Sequence, residues 1–332
     1  MSDTTPARLA ELAVIRRSGM IESRHLGSLL AFAADGTVAL SLGAPDAPIL
    51  PRSTVKPLQA MACLAAGAEL SGPELAIASG SHTGEDAHTE LVAGMLERAG
   101  LEQDALGCPV DRPEDEPTFE RLLRQGESRS RVRMNCSGKH AAMLLACAAN
   151  GWSTDDYLDP DHPLQQQVQA TMAQMTGAPI THIAVDGCGA PLFGTTVRGV
   201  ASAFRSLVLA EAGSTAGRVA AAMRGNPFYV GGTGHANSDL MALMPGVLAK
   251  GGAEGVIGVA TRDGASVSMK IIDGNPRATT LIAVAVLEAL GYDTSAAEKL
   301  RTVAVLGGGR PVGQIELGED LRQALAGASA QA

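Results

Sequence analysis

Two hairpin signatures stand near opposite ends of this chain, and they limit the architectures open to it. Glu11 to Arg17 and Gly27 to Ala33 read as strands, the second turning at Asp35-Gly36 into Thr37 to Leu42. Val256 to Thr261 and Ala265 to Ile272 alternate in the same way around Arg262-Asp263-Gly264. Between them the apolar residues recur at helical spacing: Ser53 to Ala66 (Leu58, Met61, Ala62 and Ala65 on one face), about Glu85 to Gly100, Lys139 to Asn150, Pro163 to Thr176, Ala201 to Ala212, Thr215 to Arg224 and His235 to Lys250. A long apolar helix is expected from Ala278 to Leu290, and the small, polar tail after Leu321 is expected to fray. Hairpin-linked strands at both ends predict an α+β fold, an antiparallel sheet built from both chain ends packed against helices, and not a βαβ series. The expected organisation is one unit over 1–332, with an α+β subdomain (about 8–60 and 255–320) and a helical subdomain (about 61–250). Asp111 to Pro117 reads as an acidic, solvated loop of the kind from which lids are built. Gly307-Gly308-Gly309 and Gly231-Gly232-Thr233-Gly234 lack phosphate-loop or dinucleotide spacing and read as turns.

Composition narrows the function classes. With 332 residues and 45% apolar content the chain can bury a substantial core. Aromatics are only 3% and the formal net charge is −9, so neither a base-stacking surface nor attraction to a polyanion is expected, and nucleic acid is excluded as main partner. Met1 to Pro6 lacks the features of a secretion signal, and no apolar stretch reaches the ~18–20 residues that span a bilayer. A cytoplasmic location without membrane partners is the resulting expectation. The five cysteines, Cys63, Cys108, Cys136, Cys147 and Cys188, are odd in number and widely spaced, which argues against a disulfide framework.

Of the 26 basic residues only five are lysines, Lys56, Lys139, Lys250, Lys270 and Lys299. Arginine is therefore the routine cation, and each lysine needs a reason, since only lysine can lose its proton when desolvated and act as base or ligand. Lys250 reads as the end of a helix before Gly251-Gly252 and Lys299 as part of a polar helix face. The other three sit in motifs. Ser53 and Lys56 are three apart near a helix start, where Pro57 is tolerated, so a neutral Lys56 could take the Ser53 proton. Lowering a lysine pKa from about 10.4 to near 7 costs roughly 4–5 kcal/mol and requires burial and a nearby cation, for which Lys270 and Arg52 are the candidates. Ser79-Gly80-Ser81-His82-Thr83-Gly84-Glu85 is a polar turn after an apolar run, read either as hydroxyls delivered to a cleft or as a helix cap. Asn135-Cys136-Ser137-Gly138-Lys139-His140 and Asp186-Gly187-Cys188-Gly189 hold two thiols and an amine; lysine being a rare metal ligand, spacing alone reads them as buried cysteines.

Taken together and in order, Arg52 to Pro57, Ser81-His82, Asn135 to His140, Asp186 to Cys188 and Lys270-Ile271-Ile272-Asp273-Gly274-Asn275 resemble the rhizobial-type (class 3) L-asparaginases, over nearly the whole chain from Gly19-Met20-Ile21-Glu22 and His25 to Asn275. The resemblance implies a fold similar to serine β-lactamases and penicillin-binding proteins, a homodimer, and hydrolysis of L-asparagine to aspartate and ammonia. It implies two Ser-Lys tandems, Ser53 with Lys56 and Ser81 with Lys270, and one zinc ion held by Cys136, Lys139 and Cys188.

The expected mechanism is acyl transfer by Ser53, activated by Lys56, with the second tandem shuttling protons. By charge complementarity Arg52 is expected to bind the substrate carboxylate and Asp186 its ammonium, with His82 also at the substrate. The alternative is a glutaminase or broader amidase, one methylene of pocket depth away. A β-lactamase is disfavoured because Ser238-Asp239 is not followed by Asn and no Lys-Thr-Gly is present. A non-catalytic binding protein would need no Ser-Lys contact at all.

Overall fold

The computed structural model describes residues 8–127 and 129–329, and the expectation for Met1 to Pro6 lies outside them. Eight strands form one antiparallel sheet: β1 (Ala10–Arg17), β2 (Met20–Phe32), β3 (Val38–Leu42), β4 (Leu248–Gly252), β5 (Val256–Ala260), β6 (Ser266–Ile271), β7 (Val303–Gly307) and β8 (Arg310–Leu317). Their order is β7-β8-β1-β2-β6-β5-β4, with β3 attached to β2. Both chain ends thus meet in the sheet, Val14 opposite Glu316 and Ser266 opposite Phe32. This is the α+β architecture that the terminal hairpins predict.

The 13-residue β2 makes the join. Its first half pairs with β1 and its second half lies between β6 and β3. Gly27 sits at the changeover, where a Cβ would lie 2.2 Å from the Lys270 carbonyl oxygen and 2.9 Å from Leu12 Cδ1. Only a residue without a side chain allows that approach.

Helices cover the sheet and fill the middle of the chain: α1 (Lys56–Ala65), α2 (Gly72–Ala78), α3 (Asp86–Arg98), α4 (Glu116–Arg124), α5 (Ser137–Asn150), α6 (Pro163–Thr176), α7 (Val197–Leu209), α8 (Thr215–Gly225), α9 (Pro227–Val230), α10 (Ala236–Leu243), α11 (Thr279–Ala289) and α12 (Glu319–Ser329). Helix α7 lies on β2, β5 and β6, with Ser266 Oγ bonded to the Ala201 carbonyl at 3.0 Å. Alternation along β6 turns Val267, Met269 and Ile271 to the other face, where α11 packs. Every residue of α1 from Lys56 to Leu64 is buried, because α5, α6 and α8 surround it. A helix buried on all sides is dry throughout, and Lys56 opens it.

Three expectations are corrected. The helix expected from His235 to Lys250 ends at Leu243, because Pro245 and Gly246 break it, and the apolar Val247-Leu248-Ala249 run enters β4. Lys250 is therefore a strand residue. As far as Ser329, the last described residue, the tail after Leu321 is helical and does not fray: it belongs to α12, which docks its fully buried Leu321 on β1 and β3. The acidic loop ends sooner than expected, since Asp115 caps α4 through the Thr118 amide at 2.9 Å and Glu116 and Pro117 are helical. The Gly307-Gly308-Gly309 turn holds, and it joins a hairpin, β7–β8, absent from the reading of the sequence. Among the described residues no helix is long and apolar enough to cross a membrane.

Gly27→Ala forces either β6 or Leu12 to move, which is expected to cost about 1–3 kcal/mol of stability. Urea denaturation of the purified variant reads this directly, and an unchanged midpoint would show that the strands relax freely.

Candidate active site

A cleft of about 530 Å³ opens where the 3₁₀ turn Arg52–Val55, the residues after α2 and strand β4 meet. Its wall includes Ser53, Ser81, Asn135, Asn237 and Lys250. The size is that of a small-molecule site.

Each wall element is placed by local sequence. Helix α2 ends at Ala78, with Ser79 Oγ turned back onto the Leu75 carbonyl at 2.9 Å, and the chain then runs extended through Gly80 and Ser81. Ser81 N and Thr83 N bond the carbonyls of Val230 and Gly231 at 2.8 and 2.7 Å, which fixes this segment against the end of α9. Strand β4 meets the 3₁₀ turn at Gly252, where a Cβ would lie 2.7 Å from Thr54 Oγ1 and 2.9 Å from the Pro51 carbonyl oxygen. That close approach sets Lys250, two residues earlier, beside the Ser53 turn. Arg52, immediately before Ser53, is held at φ +52°, a left-handed conformation unusual for a branched-out side chain and typical of strained functional turns.

The Ser81 hydroxyl lies between two buried amines. Lys56 Nζ is 2.9 Å from Ser81 Oγ and donates also to the carbonyls of Gly80 (2.5 Å) and Asn135 (3.4 Å). Three acceptors match the three N–H groups of an ammonium. Lys250 Nζ is 3.0 Å from the same hydroxyl and 2.5 Å from the Gly251 carbonyl. Burial, and next the Lys56 cation, hold the Lys250 amine well below the ordinary lysine range. Ser53, half-buried on the cleft wall, makes no hydrogen bond through its hydroxyl to any described residue.

The lysine pairing expected from sequence is therefore corrected. The amines against Ser81 are those of Lys56 and Lys250, while Lys270, on β6, is partly exposed and bonds the Glu254 carbonyl oxygen instead. Lys270 is in the right sheet, two strands away from Lys250 across β5, and its amine is engaged away from Ser81. Lys250 was the lysine with an ordinary explanation; the signal that could have found it was the apolar run Val247-Leu248-Ala249, whose strand pattern buries the residue that follows. Lys299 is indeed a surface cation, paired with Asp239 at 2.7 Å.

His82 is also corrected as a residue that would touch substrate, because it is fully buried behind Ser81. Gly84 N donates to its Nδ1 at 3.2 Å, so Nε2 carries the proton and donates to Ser137 Oγ at 2.9 Å. Burial, then the stacked His88, push its pKa well down and keep the ring neutral. It braces the Ser81 segment against the start of α5. Arg52 and Asp186 sit together, Nε to Oδ1 at 2.7 Å, with Arg52 Nη1 3.9 Å from the Glu254 carboxylate. The expected carboxylate and ammonium binders thus neutralise each other.

Cys136, Lys139 and Cys188 do come together. Cys136 stands immediately before α5, Lys139 follows three residues later in its first turn, and Asp186 to Cys188 form the turn of a short hairpin, Ile183–Val185 with Pro191–Phe193. Lys139 Nζ lies 2.9 Å from Cys188 Sγ. A hydrogen bond from the Cys136 thiol, and next the Lys139 ammonium and His140, lower the Cys188 pKa so that it is a thiolate, while the Cys136 thiol is pushed up. Burial works against the Lys139 charge, but the two sulfurs overcome it and raise its pKa. By contrast, burial raises Cys63 to about 12 and Cys108 to about 11, as inert core thiols. Among the described residues no group of three or more His, Cys, Asp or Glu is arranged to hold a metal. Two sulfurs and an amine, one sulfur already ionised, nevertheless form a donor set that fits a soft divalent ion if the ion displaces the lysine proton.

The family described as L-asparaginase II matches residues 13–317. No curated protein matches the chain in sequence. Solved structures similar to it include a β-lactamase from Mycobacterium bovis (TM-score 0.44, 13% identity, covering 80% of this chain and 95% of that one). A Streptomyces K15 DD-transpeptidase is similar at TM-score 0.39 and 18% identity, covering 82% and 95%. A Bacillus glutaminase is similar at TM-score 0.33 and 12% identity, covering 75% and 84%.

The depressed amine of Lys250 has a stability signature. Unfolded, it holds its proton up to about pH 10.5; folded, it has lost it at lower pH, so wild-type stability rises as pH climbs toward 10.5. Lys250→Met removes this dependence and is expected to be about 1–3 kcal/mol more stable near neutral pH, an advantage that shrinks toward alkaline pH. Urea unfolding of both proteins across that range checks the sign; a constant offset would mean that the amine is protonated in both states.

Proposed function

The chain belongs to the L-asparaginase II family, and from that membership we propose that it hydrolyses the side-chain amide of L-asparagine to L-aspartate and ammonia by acyl transfer to Ser53. The observation that carries the reading is the Ser81 hydroxyl held at 2.9 and 3.0 Å between Lys56 and Lys250, in the same cleft as Ser53. A buried amine kept neutral beside a hydroxyl and a second amine is an arrangement for moving protons, and a core rarely contains it otherwise.

In this mechanism Ser81 is the relay and Ser53 the attacking oxygen. The Lys56 ammonium passes a proton to Ser81 Oγ as Ser81 passes its own to Lys250, which leaves Lys56 neutral one helical turn after Ser53. Lys56 then takes the Ser53 proton as Ser53 Oγ bonds the amide carbon. When the tetrahedral adduct collapses, that proton leaves with ammonia, and water enters by the same route to release aspartate. Ser53 suits the first role because its hydroxyl is uncommitted on the cleft, whereas both amines occupy Ser81.

Zinc belongs to the same proposal. Cys136, Lys139 and Cys188 would hold it, and Asp186 Oδ2, 3.8 Å from Cys188 Sγ, connects that cluster to Arg52 and the Ser53 turn. When bound it would supply a fixed positive charge beside the cleft. A homodimer is the proposed assembly. Glutamine differs by one methylene, worth ~1–3 kcal/mol of discrimination, and is the competing substrate.

Ser53→Ala is expected to abolish ammonia release from asparagine and the covalent adduct seen by mass spectrometry. Ser81→Ala is expected to lower kcat by about 10²–10⁴-fold while the adduct on Ser53 still forms. Retention of more than a few per cent of kcat by Ser53→Ala moves the nucleophile to Ser81, with Lys250 as its base. Elemental analysis of the purified protein is expected to give one zinc per chain and none in Cys188→Ser; a metal-free wild type removes the site.

A further inference from the structure

Three acidic or basic side chains line the cleft, and the Lys250 amine is occupied with Ser81 and the Gly251 carbonyl. The other two, Glu114 and Arg277, carry opposite charges and are accessible. We propose that Arg277 takes the α-carboxylate of the substrate and Glu114 its α-ammonium, so that the cleft selects a zwitterionic amino-acid amide. This rests on the amide-hydrolysis reading and replaces Arg52 and Asp186, which form an ion pair with each other, as the groups that recognise the substrate's charges.

Arg277 is built into its place. Its Nε donates to His25 Nε2 at 3.0 Å, and the opposite nitrogen of that buried ring, Nδ1, lies 2.6 Å from Asp273 Oδ2. The ring therefore carries its proton on Nδ1 and offers a lone pair to the guanidinium, while Asp273 fixes the ring. Below them Asp273 Oδ1 accepts from Asn275 N at 2.7 Å and Asn275 Oδ1 accepts from Arg277 N at 3.1 Å, which sets the backbone of the turn. Nη2 reaches Ser23 Oγ only at 3.4 Å, and Nη1 bonds no described residue. An arginine held by its Nε, with both terminal nitrogens weakly engaged or free, keeps the planar fork that binds a carboxylate through two parallel hydrogen bonds.

Glu114 answers it. Its Oε1 accepts from Asn135 Nδ2 at 2.6 Å, and Oε2 bonds no described residue. The loop is pinned next door by Asp115 N, which donates to the Thr83 carbonyl at 3.0 Å, so the carboxylate is tied to the segment that carries Ser81. His25 and Asp273 are positioning residues in this account; Arg277 and Glu114 are the ones that touch substrate. An uncharged amide would leave both charges facing the cleft without partners.

The test uses the full-length chain and three amides: L-asparagine, 3-aminopropanamide, which lacks the α-carboxylate, and succinamate, which lacks the α-ammonium. Arg277→Ala is expected to raise the KM for asparagine about ten- to a hundred-fold with a smaller change in kcat, the value of a hydrogen-bonded charge. It should leave 3-aminopropanamide unchanged, so the preference between the two collapses. Glu114→Gln should collapse the preference over succinamate in the same way. Both residues are exposed, and thermal unfolding checks that the variants fold. Unchanged preferences in these variants, or collapse in Arg52→Ala instead, overturn the assignment. If the wild type releases ammonia from none of the three, the hydrolytic reading fails, and calorimetric titration with L-aspartate decides the clamp alone. Affinity tenfold or more weaker in Arg277→Ala then supports it, whereas equal affinity, or no binding by the wild type, overturns it.

Discussion

One hydroxyl between two dry amines is the contact on which the candidate site depends. In water the Ser81 oxygen and the amines of Lys56 and Lys250 would gain almost nothing from each other. Here Lys56 opens a helix buried on every side and Lys250 leaves a strand covered on both faces, so neither amine has bulk water to turn to. Two positive charges cannot share such a volume cheaply, and the conflict is relieved when one amine gives up its proton. The protein surrounds the other with carbonyl oxygens and leaves Lys250 poorly solvated, which decides which of the two loses it.

The surrounding fold holds that contact in register. Lys56 is placed by the helical middle of the chain, Ser81 by the end of α2, and Lys250 by the sheet, and the three approach one another only because Gly252 lets β4 touch the Ser53 turn. His82 fills the space behind Ser81 as a neutral ring, tied to Ser137 at the start of α5, whose first turn also carries Lys139. The Ser81 contact and the sulfur–lysine cluster are thus two ends of one braced unit. A shift of α5 would be felt at both.

The architecture was legible because the hairpins at Asp35-Gly36 and Asp263-Gly264 are encoded by neighbouring residues, and period-two patterns survive burial. The same holds for the Ser53, Ser81 and Cys136-Lys139 motifs, which are local. What sequence could not supply was which distant lysine completes the Ser81 contact. Lys250 and Lys270 lie on β4 and β6, with β5 between them and both side chains on one face of the sheet, and their difference is which strand position comes within reach of Ser81, which a reading of Lys250 as helical could not register. Charge complementarity failed at Arg52 and Asp186 for a related reason: opposite charges that suit a ligand also suit each other, and only coordinates tell whether they meet. The β7–β8 hairpin was missed because Val303 to Leu317 is half-exposed, so its alternation is diluted by polar residues on the open face.

The meeting of both chain ends in one sheet imposes an order on biosynthesis. β2 leaves the ribosome early, but β6, which pairs with half of it, follows about 240 residues later, a delay of roughly 10–50 s at ordinary elongation rates. During that interval the N-terminal hairpins present an open edge, with Leu29 and Leu30 destined for the core still uncovered. Strand pairing across so long a stretch is also the slow kind. Newly made chains of this protein therefore emerge as natural clients for whatever shields apolar β-edges at the exit tunnel, and the helical middle is synthesised in full before the strand that will complete the sheet.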